Sequence, residues 1–362
     1  YATENVWDSH YDRPIGLKYP NGLQVQYQYN ATGYLEKEFD PAENGIIYRQ
    51  ITAQDAMGNI AQADLADANL SGIYTYSGIT GQMESSNVSN NASNIQHITY
   101  TYDDFGNLDK QTSYFNLLGV STEHYGYDDL QRLEYSTRSI DNTSLTINYE
   151  YDGVGNLTLK SDYASQYNYQ PTRPNAVASV SKINGAGTIS FGYDGKGNMT
   201  SGDGSTLTYN VHNKPVVIAK SGTTSQLFYD ASGSRYKQVV AAGDTTRTTH
   251  YIGKHYEVEV TANGVSSNDK WRAYISDIAI VSHDNSSGLE TRFTHRDRLG
   301  SATTITDKWG YITAKRNFDP FGKPRGGDYS DLTALAGSAK LANNPLDSEM
   351  STYRGFTDHE HL

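Results

Sequence analysis

One short pattern recurs along the chain and constrains its fold more than any other feature. It is clearest in NYEYDGVGNLTLKS, residues 148–161, where alternating aromatic residues precede Asp-x-x-Gly-Asn and a leucine. A degraded copy follows Gln54, and near-copies follow Tyr27, Tyr100, Tyr125, Phe191 and Phe228. Copies about 20 to 25 residues apart indicate a repeat architecture, in which each unit buries its apolar face against its neighbours.

Each unit has the pattern of a β-hairpin. Ile147, Tyr149 and Tyr151 occupy alternate positions, which places them on one face of a strand. The Asp side chain can bond the backbone of its own turn, and the Gly accepts a positive φ, so the chain reverses. At one constant offset the return strands then begin at Leu108, Leu133, Leu157 and Met199.

The tyrosines of stacked units are expected to form ring ladders across neighbouring strands, since aromatic pairs contribute about 0.5 to 1.5 kcal/mol each. The residues that define the repeat are Tyr29; Tyr102, Asp103 and Gly106; Tyr127 and Asp128; Tyr151, Asp152 and Gly155; Tyr193, Asp194 and Gly197; Tyr229, Asp230 and Gly233; and, in a later DPFG segment, Asp319, Pro320 and Gly322.

Composition supports an all-β chain. The 362 residues include 30 Tyr and 33 Gly, and 19% are charged, against about 25% in ordinary domains. Tyr fits a half-buried pleated surface and Gly, Ser and Asn form turns, so we predict many strands, helix below about a tenth of the residues, and no thick aliphatic core.

Charge and cysteine content exclude several classes of partner and site. The net charge of -12 argues against nucleic acid or an anionic membrane as the partner of the whole chain. The absence of Cys excludes disulfides and thiol-based zinc or redox sites. The sequence contains no apolar run of about 18 residues, so it predicts no membrane-spanning helix. The chain starts at a tyrosine without a signal peptide, and we expect it to be a piece of something longer.

The repeat resembles the YD repeat of Rhs proteins, which is shared with the B and C components of insecticidal Tc toxins and with teneurins. Half a dozen Tyr-Asp-x-x-Gly-Asn/Arg-Leu units in register carry this resemblance, together with YPNGLQVQYQY from Tyr19. THRDRLGSATTITDKWG (Thr294 to Gly310), NFDPFGKPR (Asn317 to Arg325) and YRGFTDHEHL (Tyr353 to Leu362) resemble the closing segments of an Rhs core, in the same order.

The resemblance implies YD hairpins stacked into a spiralling sheet, part of a hollow β-shell or cocoon that encloses a C-terminal toxin. In the family an aspartate pair at the end of the core releases the toxin, but the chain stops at Leu362, before that motif. Asp319 belongs to the earlier segment, so no catalytic residue is carried over. The implied partners are the remainder of the Rhs core, the toxin domain and a secretion spike or adaptor.

Three patterns imitate catalytic or metal sites. HRDRLG from His295 imitates a kinase catalytic loop, but Ala302 stands where an Asn is needed. HEH at His359 to His361 could supply half of a metal site, and the turns at Asp152 and Asp194 could offer oxygen ligands to calcium. We expect structural roles for all of them, and we predict no cofactor, no metal site and no enzymatic activity. The tyrosines could instead form a sugar-binding surface, although their alternation before each turn favours packing.

The chain divides by pattern into an N-terminal YD-like portion (1–95), dense repeats (96–238) and a C-terminal Rhs-like segment (239–362). MESSNVSNNASN, Met83 to Asn94, is the best linker candidate, and DLTALAGSAKLA, Asp331 to Ala342, is a candidate short helix. The segments TTHYIG, YEVEV, DIAIVSH and SATTITD are predicted to be longer strands.

The leading hypothesis is a non-enzymatic shell fragment that sheathes a toxin and helps deliver it from a bacterium by a type VI or Tc-like route in bacterial competition. The alternative is a surface adhesion or carbohydrate-binding YD module, and a self-contained autoproteolytic enzyme ranks third. Enclosing a folded cargo of about 100 residues takes roughly 600 residues of such a wall, so we expect this chain to form only part of a shell.

Overall fold

In the computed structural model of the chain, the described residues are 1–42, 45–115, 119–140, 143–263, 267–326 and 356–358. Within them lie 31 strands and two single 3₁₀ turns, Ile183–Gly185 and Phe356–Asp358. Strands therefore dominate the described residues and helix stays far below a tenth of them, as predicted.

The strands in chain order are β1 (Glu4–Trp7), β2 (Pro14–Lys18), β3 (Gln24–Tyr29), β4 (Leu35–Phe39), β5 (Ile47–Gln54), β6 (Ile60–Leu65), β7 (Leu70–Tyr76), β8 (Met83–Asn90), β9 (Asn94–Tyr102), β10 (Leu108–Phe115), β11 (Gly119–Tyr127), β12 (Leu133–Ile140), β13 (Thr143–Tyr151), β14 (Leu157–Lys160), β15 (Ala164–Gln170), β16 (Arg173–Lys182), β17 (Thr188–Ser190), β18 (Gly192–Tyr193), β19 (Met199–Gly202), β20 (Ser205–Tyr209), β21 (Pro215–Lys220), β22 (Thr223–Tyr229), β23 (Arg235–Ala242), β24 (Thr245–Ile252), β25 (Tyr256–Ala262), β26 (Ser267–Ile275), β27 (Ala279–Asp284), β28 (Gly288–Arg296), β29 (Ala302–Asp307), β30 (Ile312–Phe318) and β31 (Pro324–Gly326).

The strands form an antiparallel meander. From β1 to β17 each strand pairs with the next one in sequence. The same holds from β18 to β31. The result is a 17-stranded sheet followed by a 14-stranded sheet. Short turns between sequential strands produce this topology, and the all-β prediction is confirmed.

A single residue, Phe191, rather than a linker, joins the two sheets. The Phe191 backbone N–H donates to the carbonyl of Ala178 at 2.9 Å. The Tyr193 hydroxyl, already on β18, donates to the carbonyl of Val177 on β16 at 2.9 Å. The second sheet therefore begins directly where the first one ends, and both are bonded to β16 there.

The linker predicted at Met83 to Asn94 is wrong. Met83–Asn90 forms β8, which pairs with β7 and β9, and Asn94 begins β9. Ser86 and Val88 are buried, so small residues alternate inward as a strand requires. Composition indicated a loop, but pairing with strands on both sides satisfies this backbone. The helix proposed at Asp331 to Ala342 and the HEH motif lie outside the described residues.

The two sheets share an apolar core, which the sequence-based expectation of no thick core missed. One side consists of residues from β2 to β9 and their turns, and the other of residues from β25 to β28 and the turn between β26 and β27. Its buried members are Leu17, Tyr19, Val25, Tyr48, Leu65, Ala66, Leu70, Val88, Ile95, Tyr256, Val258, Ala273, Ile275, Ile278, Ala279, Val281 and Phe293. The low average hydrophobicity of the sequence did not predict this core, because the core is assembled from a few apolar residues in each of several distant segments.

The strands predicted after residue 239 are present as β24, β25, β27 and β29. The boundaries drawn at residues 95 and 238 fall inside β9 and β23, whereas the change of sheet lies at Phe191. The division into three segments stays a prediction about sequence similarity.

Candidate functional site: the turn rim and the contact between the sheets

The Asp of each repeat organises the hairpin turn. Asp103 Oδ1 accepts the backbone N–H groups of Phe105 at 2.9 Å and Asn107 at 2.8 Å, and Asp103 Oδ2 accepts the side-chain amide of Asn107 at 2.9 Å. The Asp103 N–H donates to the Asn107 carbonyl, and the Gly106 N–H returns to the Asp103 carbonyl. This is the pattern of a three-residue hairpin loop closed by a bulge, and the β9–β10 register shifts there.

The turns at Asp152 and Asp194 repeat this arrangement. The hydrogen bond from Asn156 is the main reason why the pKa of the Asp152 carboxyl lies below its ordinary value, and Asn198 does the same for Asp194. Both carboxylate oxygens already accept donors, which opposes the calcium-loop alternative for these two turns.

The other repeat residues occupy equivalent places. Gly106, Gly155, Gly197, Gly233 and Gly322 stand fourth in their turns, with φ between 80° and 91°. Glycine adopts this conformation without steric cost, which is why it recurs there. At the Asp128 turn Gln131 takes this position with φ 61°, and Arg132 replaces the Asn by donating to Asp128 Oδ2 at 2.7 Å.

The tyrosine before each turn connects one hairpin to the preceding one. The Tyr151 hydroxyl donates to the carbonyl of Leu133 at 3.0 Å, and Leu133 is the first residue of the preceding return strand. Equivalent bonds of 2.7–3.0 Å join Tyr29 to Pro14, Tyr102 to Met83, Tyr127 to Leu108, Tyr169 to Leu157, Tyr193 to Val177, Tyr209 to Met199 and Tyr229 to Pro215. Except at Val177, the acceptor opens a strand. We call this bond the tyrosine clasp.

The predicted ladders of stacked tyrosine rings are wrong. Among the described residues no ring pair joins two of the clasp tyrosines, whereas basic side chains lie over several of their rings. The Arg132 guanidinium is 4.7 Å from the Tyr151 ring centre, and the Arg13 guanidinium is 4.1 Å from that of Tyr29. Consecutive hairpins lie two strands apart, about 10 Å, which exceeds the distance at which aromatic rings contact each other. The hydroxyl of each clasp tyrosine instead reaches a backbone carbonyl of the preceding hairpin, while the tyrosine rings of the two hairpins stay out of contact.

Turns that follow every second strand share one edge of a meander, which we call the turn rim. In the repeats it is formed by the turns at Asn30, Asp55, Ser77, Asp103, Asp128, Asp152, Pro171, Asp194, Asn210 and Asp230. Adjacent turns bond to one another: Gln82 Nε2 donates to the Gly106 carbonyl at 2.9 Å, and Arg132 Nη1 donates to the Asp152 carbonyl at 3.1 Å. Bonds of this kind join the turns without a break from the Ser77 turn to the Asn210 turn.

Sequence reasoning missed the units at Ser77, Tyr169 and Asn210. At Asn210 the Asn side chain accepts the N–H groups of His212 and Lys214, and Asn213 has φ 58°. The detectable signal was Asn-x-x-Asn after the alternating Leu207 and Tyr209, because Asn can replace both Asp and Gly in such turns.

Later turns of the same rim contact the first sheet. The Arg298 N–H in the Asp297 turn donates to the Tyr100 hydroxyl at 3.2 Å, and burial raises the pKa of Tyr100 above its ordinary value. Ser276 donates its hydroxyl to the buried Glu38, whose other carboxylate oxygen binds Arg49 Nη2 at 2.6 Å. These polar contacts add to the shared apolar core in joining the later turns to the first sheet.

The DPFG turn makes a buried ionic contact. Asp319 has the geometry of a repeat turn, with Oδ1 accepting the N–H groups of Phe321 and Lys323. Asp319 Oδ2 lies 2.8 Å from Lys160 Nζ, which also lies 2.8 Å from Asp162. Burial alone would lower the pKa of Lys160, but these hydrogen bonds and charges outweigh it and raise the pKa. Pro320 occupies the second turn position, where its fixed φ fits.

A second ion pair lies beside it. Arg325 Nη1 and Nη2 bind the buried carboxylate of Glu123 at 3.1 and 3.0 Å, a two-point contact between the last strand and β11. Charges that are buried and paired in this way hold elements in one register, since separating them leaves an uncompensated charge.

The HRDRLG motif also forms a turn. Asp297 Oδ1 accepts the N–H groups of Leu299 and Ser301, and His295 Nε2 lies 3.0 Å from the Thr306 hydroxyl. Burial lowers the pKa of His295 to about 4. In the described part of the chain no three His, Asp or Glu residues lie close enough to hold a metal ion, and no helix there is long and apolar enough to span a membrane.

No sequence family model matches the chain, and no curated protein matches it. Solved structures do share its fold. A TcdB2–TccC3 complex superposes with a TM-score of 0.74 at 15% identity, over 99% of this chain and 19% of that one. The pore form of the Photorhabdus luminescens Tc holotoxin, with a mutation in TccC3, superposes with a TM-score of 0.73 at 16% identity over 89% of this chain and 18% of that one.

A TcdB2–TccC3 complex without its hypervariable C-terminal region superposes with a TM-score of 0.70 at 15% identity. The chain thus has the fold of a part of these toxin components. It spans about a fifth of their length, 18–19%.

Proposed function

We propose that the chain is a non-enzymatic wall segment of a hollow β-shell that encloses a toxin domain and helps deliver it. The observation that carries this proposal is the antiparallel meander of YD hairpins, which matches part of the Tc toxin components over 99% of its length. A long, narrow band of sheet is suited to be a wall because its strength depends on contacts between neighbouring units.

The contacts along the band fit this role. Each tyrosine clasp ties a hairpin to the one before it, and the rim bonds tie adjacent turns. The band is therefore secured at the rim by side chains as well as along its length by backbone pairing. The Lys160–Asp319 and Glu123–Arg325 pairs then fix the last strands against the first sheet.

The partners that follow from the proposal are the rest of the shell, a C-terminal toxin domain, and a secretion spike or adaptor. Release from a bacterium by a type VI or Tc-like route, in competition between bacteria, belongs to the same proposal. A span of 18–19% of the similar chains leaves most of the wall to be supplied by other sequence.

Protease protection tests the proposal. The longest polypeptide encoded with this chain is treated with proteinase K beside its C-terminal domain expressed alone. Inside a shell, the C-terminal domain survives concentrations that degrade the free domain. Equal digestion of both while the wall stays intact would overturn the proposal.

A surface carbohydrate-binding module is the second candidate, favoured by Trp309 and Tyr311, which are exposed on one hairpin turn. Exposed aromatic faces can stack on sugar rings. Micromolar binding on a glycan array that Trp309→Ala abolishes would support it. Self-cleavage of residues 1–362 alone would instead favour an autoproteolytic enzyme.

A further inference from the structure

Five consecutive turns of the turn rim carry a large apolar side chain at their tips. Met57, Ile79, Phe105, Leu130 and Val154 belong to the turns that follow β5, β7, β9, β11 and β13, and each side chain is 54–92% exposed. Since consecutive hairpins are about 10 Å apart, the five tips form a stripe about 40 Å long. We call these five residues the apolar tips.

Single exposed apolar residues are ordinary on protein surfaces, but a row at one structural position is not. Turn tips normally carry polar residues or glycine. Farther along the same rim the equivalent positions hold Lys196 and Ser232, so the run of five ends there, and exposed apolar side chains return to this position at Leu299 and Phe321. Met57 also lies close to the next turn, since a side chain at Gly81 would have its Cβ 3.5 Å from the Met57 sulfur.

The later turns of the same rim show how such a tip is used. Phe321, at the tip of the Asp319 turn, packs its ring against Tyr149 on β13 with the ring centres 5.1 Å apart. The Asp297 turn contacts Tyr100 on β9. In both cases a rim turn with an apolar tip rests on the face of another stretch of hairpin sheet. Four of the five apolar-tip turns, those at Asp55, Asp103, Asp128 and Asp152, have the same turn geometry, and the Ser77 turn is one residue longer.

We propose that the apolar tips dock on the face of another stretch of hairpin sheet of the same polypeptide, outside residues 1–362. The inference rests on the proposed function, because a wall that winds around a cavity brings the rim of one winding against the next. Chains of this fold are about five times longer, so sequence to form that face exists in them. A second copy of this chain is the competing occupant.

Single cysteines test the docking, because the chain itself contains none. Phe105→Cys, Leu130→Cys and Val154→Cys are compared with the control Ser232→Cys, on the polar part of the same rim. Each is introduced into residues 1–362 and into the longest encoded polypeptide cleared of other cysteines. The measurement is the rate of reaction with a small maleimide, and an electron-microscopy map of the long polypeptide is recorded in parallel.

Docking predicts fast labelling of all four cysteines in the short chain. In the long polypeptide the three tip cysteines react at least about tenfold more slowly than in the short chain, while the reaction rate of Ser232→Cys is unchanged. Unchanged tip labelling in a polypeptide whose map shows a hollow shell overturns the docking and leaves the proposed function intact. If the tip cysteines of the short chain become protected from maleimide as the protein concentration rises, a second copy covers the stripe, and this result also overturns the docking proposal. A map without a cavity overturns the proposed function, and the docking with it.

Discussion

Removing one tyrosine hydroxyl distinguishes the clasp from ring packing. In Tyr151→Phe the ring and its contact with Arg132 remain, and only the bond to the Leu133 carbonyl is lost. A hydrogen bond of this kind contributes about 1 kcal/mol, and Tyr151 is half-buried, so water partly compensates the freed carbonyl. We expect Tyr151→Phe to cost about 1 kcal/mol. Tyr151→Ala also loses ring packing and should cost roughly 2–3 kcal/mol, below the 3–5 of a fully buried aromatic residue.

Hydrogen exchange followed by mass spectrometry suits a repeat band, because each unit opens largely by itself. A loss of about 1 kcal/mol raises the opening equilibrium of β12 and β13 about fivefold, with little change in distant strands. Tyr236→Phe is the matched control, since this exposed tyrosine makes no hydroxyl bond among the described contacts. If Tyr151→Phe exchanges like the unmodified chain while Tyr151→Ala opens the hairpin, ring packing rather than the clasp holds the repeat.

Three further changes test the turns, the buried ion pair and the buried histidine. Gly155→Ala should cost about 1–2 kcal/mol because of its φ of 90°, whereas Gly153→Ala, with open space around it and no positive φ, should be near neutral in urea unfolding. Lys160→Met leaves a buried carboxylate without its partner and should lower the free energy of unfolding by about 3–5 kcal/mol. Adding Asp319→Asn should recover part of that loss, and strictly additive losses in the double variant would contradict this. His295 has a pKa of about 4 in the folded chain and about 6.5 unfolded, so its contribution to stability is complete above pH 6.5 and falls by about 3 kcal/mol as the pH drops to 4. His295→Asn should flatten the dependence of the free energy of unfolding on pH in this range, and an unchanged dependence would refute the assignment.

The local fold was readable from the sequence because its information is local. Alternating aromatic residues gave the strands, and Asp at the first turn position with Gly at the fourth gave the reversals, as at Asp103 and Gly106. The strand starts at Leu108 and Met199 were correct for the same reason. Weak units such as Asn210 escaped because Asn stood in place of both signature residues.

Contacts between distant segments were not readable. The clasp joins Tyr151 to a backbone carbonyl, which any residue at position 133 supplies, so no side-chain pattern marks it. The core between the sheets includes Val25 together with residues more than two hundred positions away, and Lys160 meets Asp319 across 159 positions. A single sequence carries no sign of such pairings, because apolar alternation reveals which face is buried but not what covers it.

An electron-microscopy map of the longest polypeptide encoded with this chain tests the central claim most directly. The account predicts a hollow particle in whose wall the strands from β1 to β31 form one continuous band, with density for the C-terminal domain inside the cavity. A compact particle without a cavity, or one in which this band lies apart from the C-terminal domain, would contradict it.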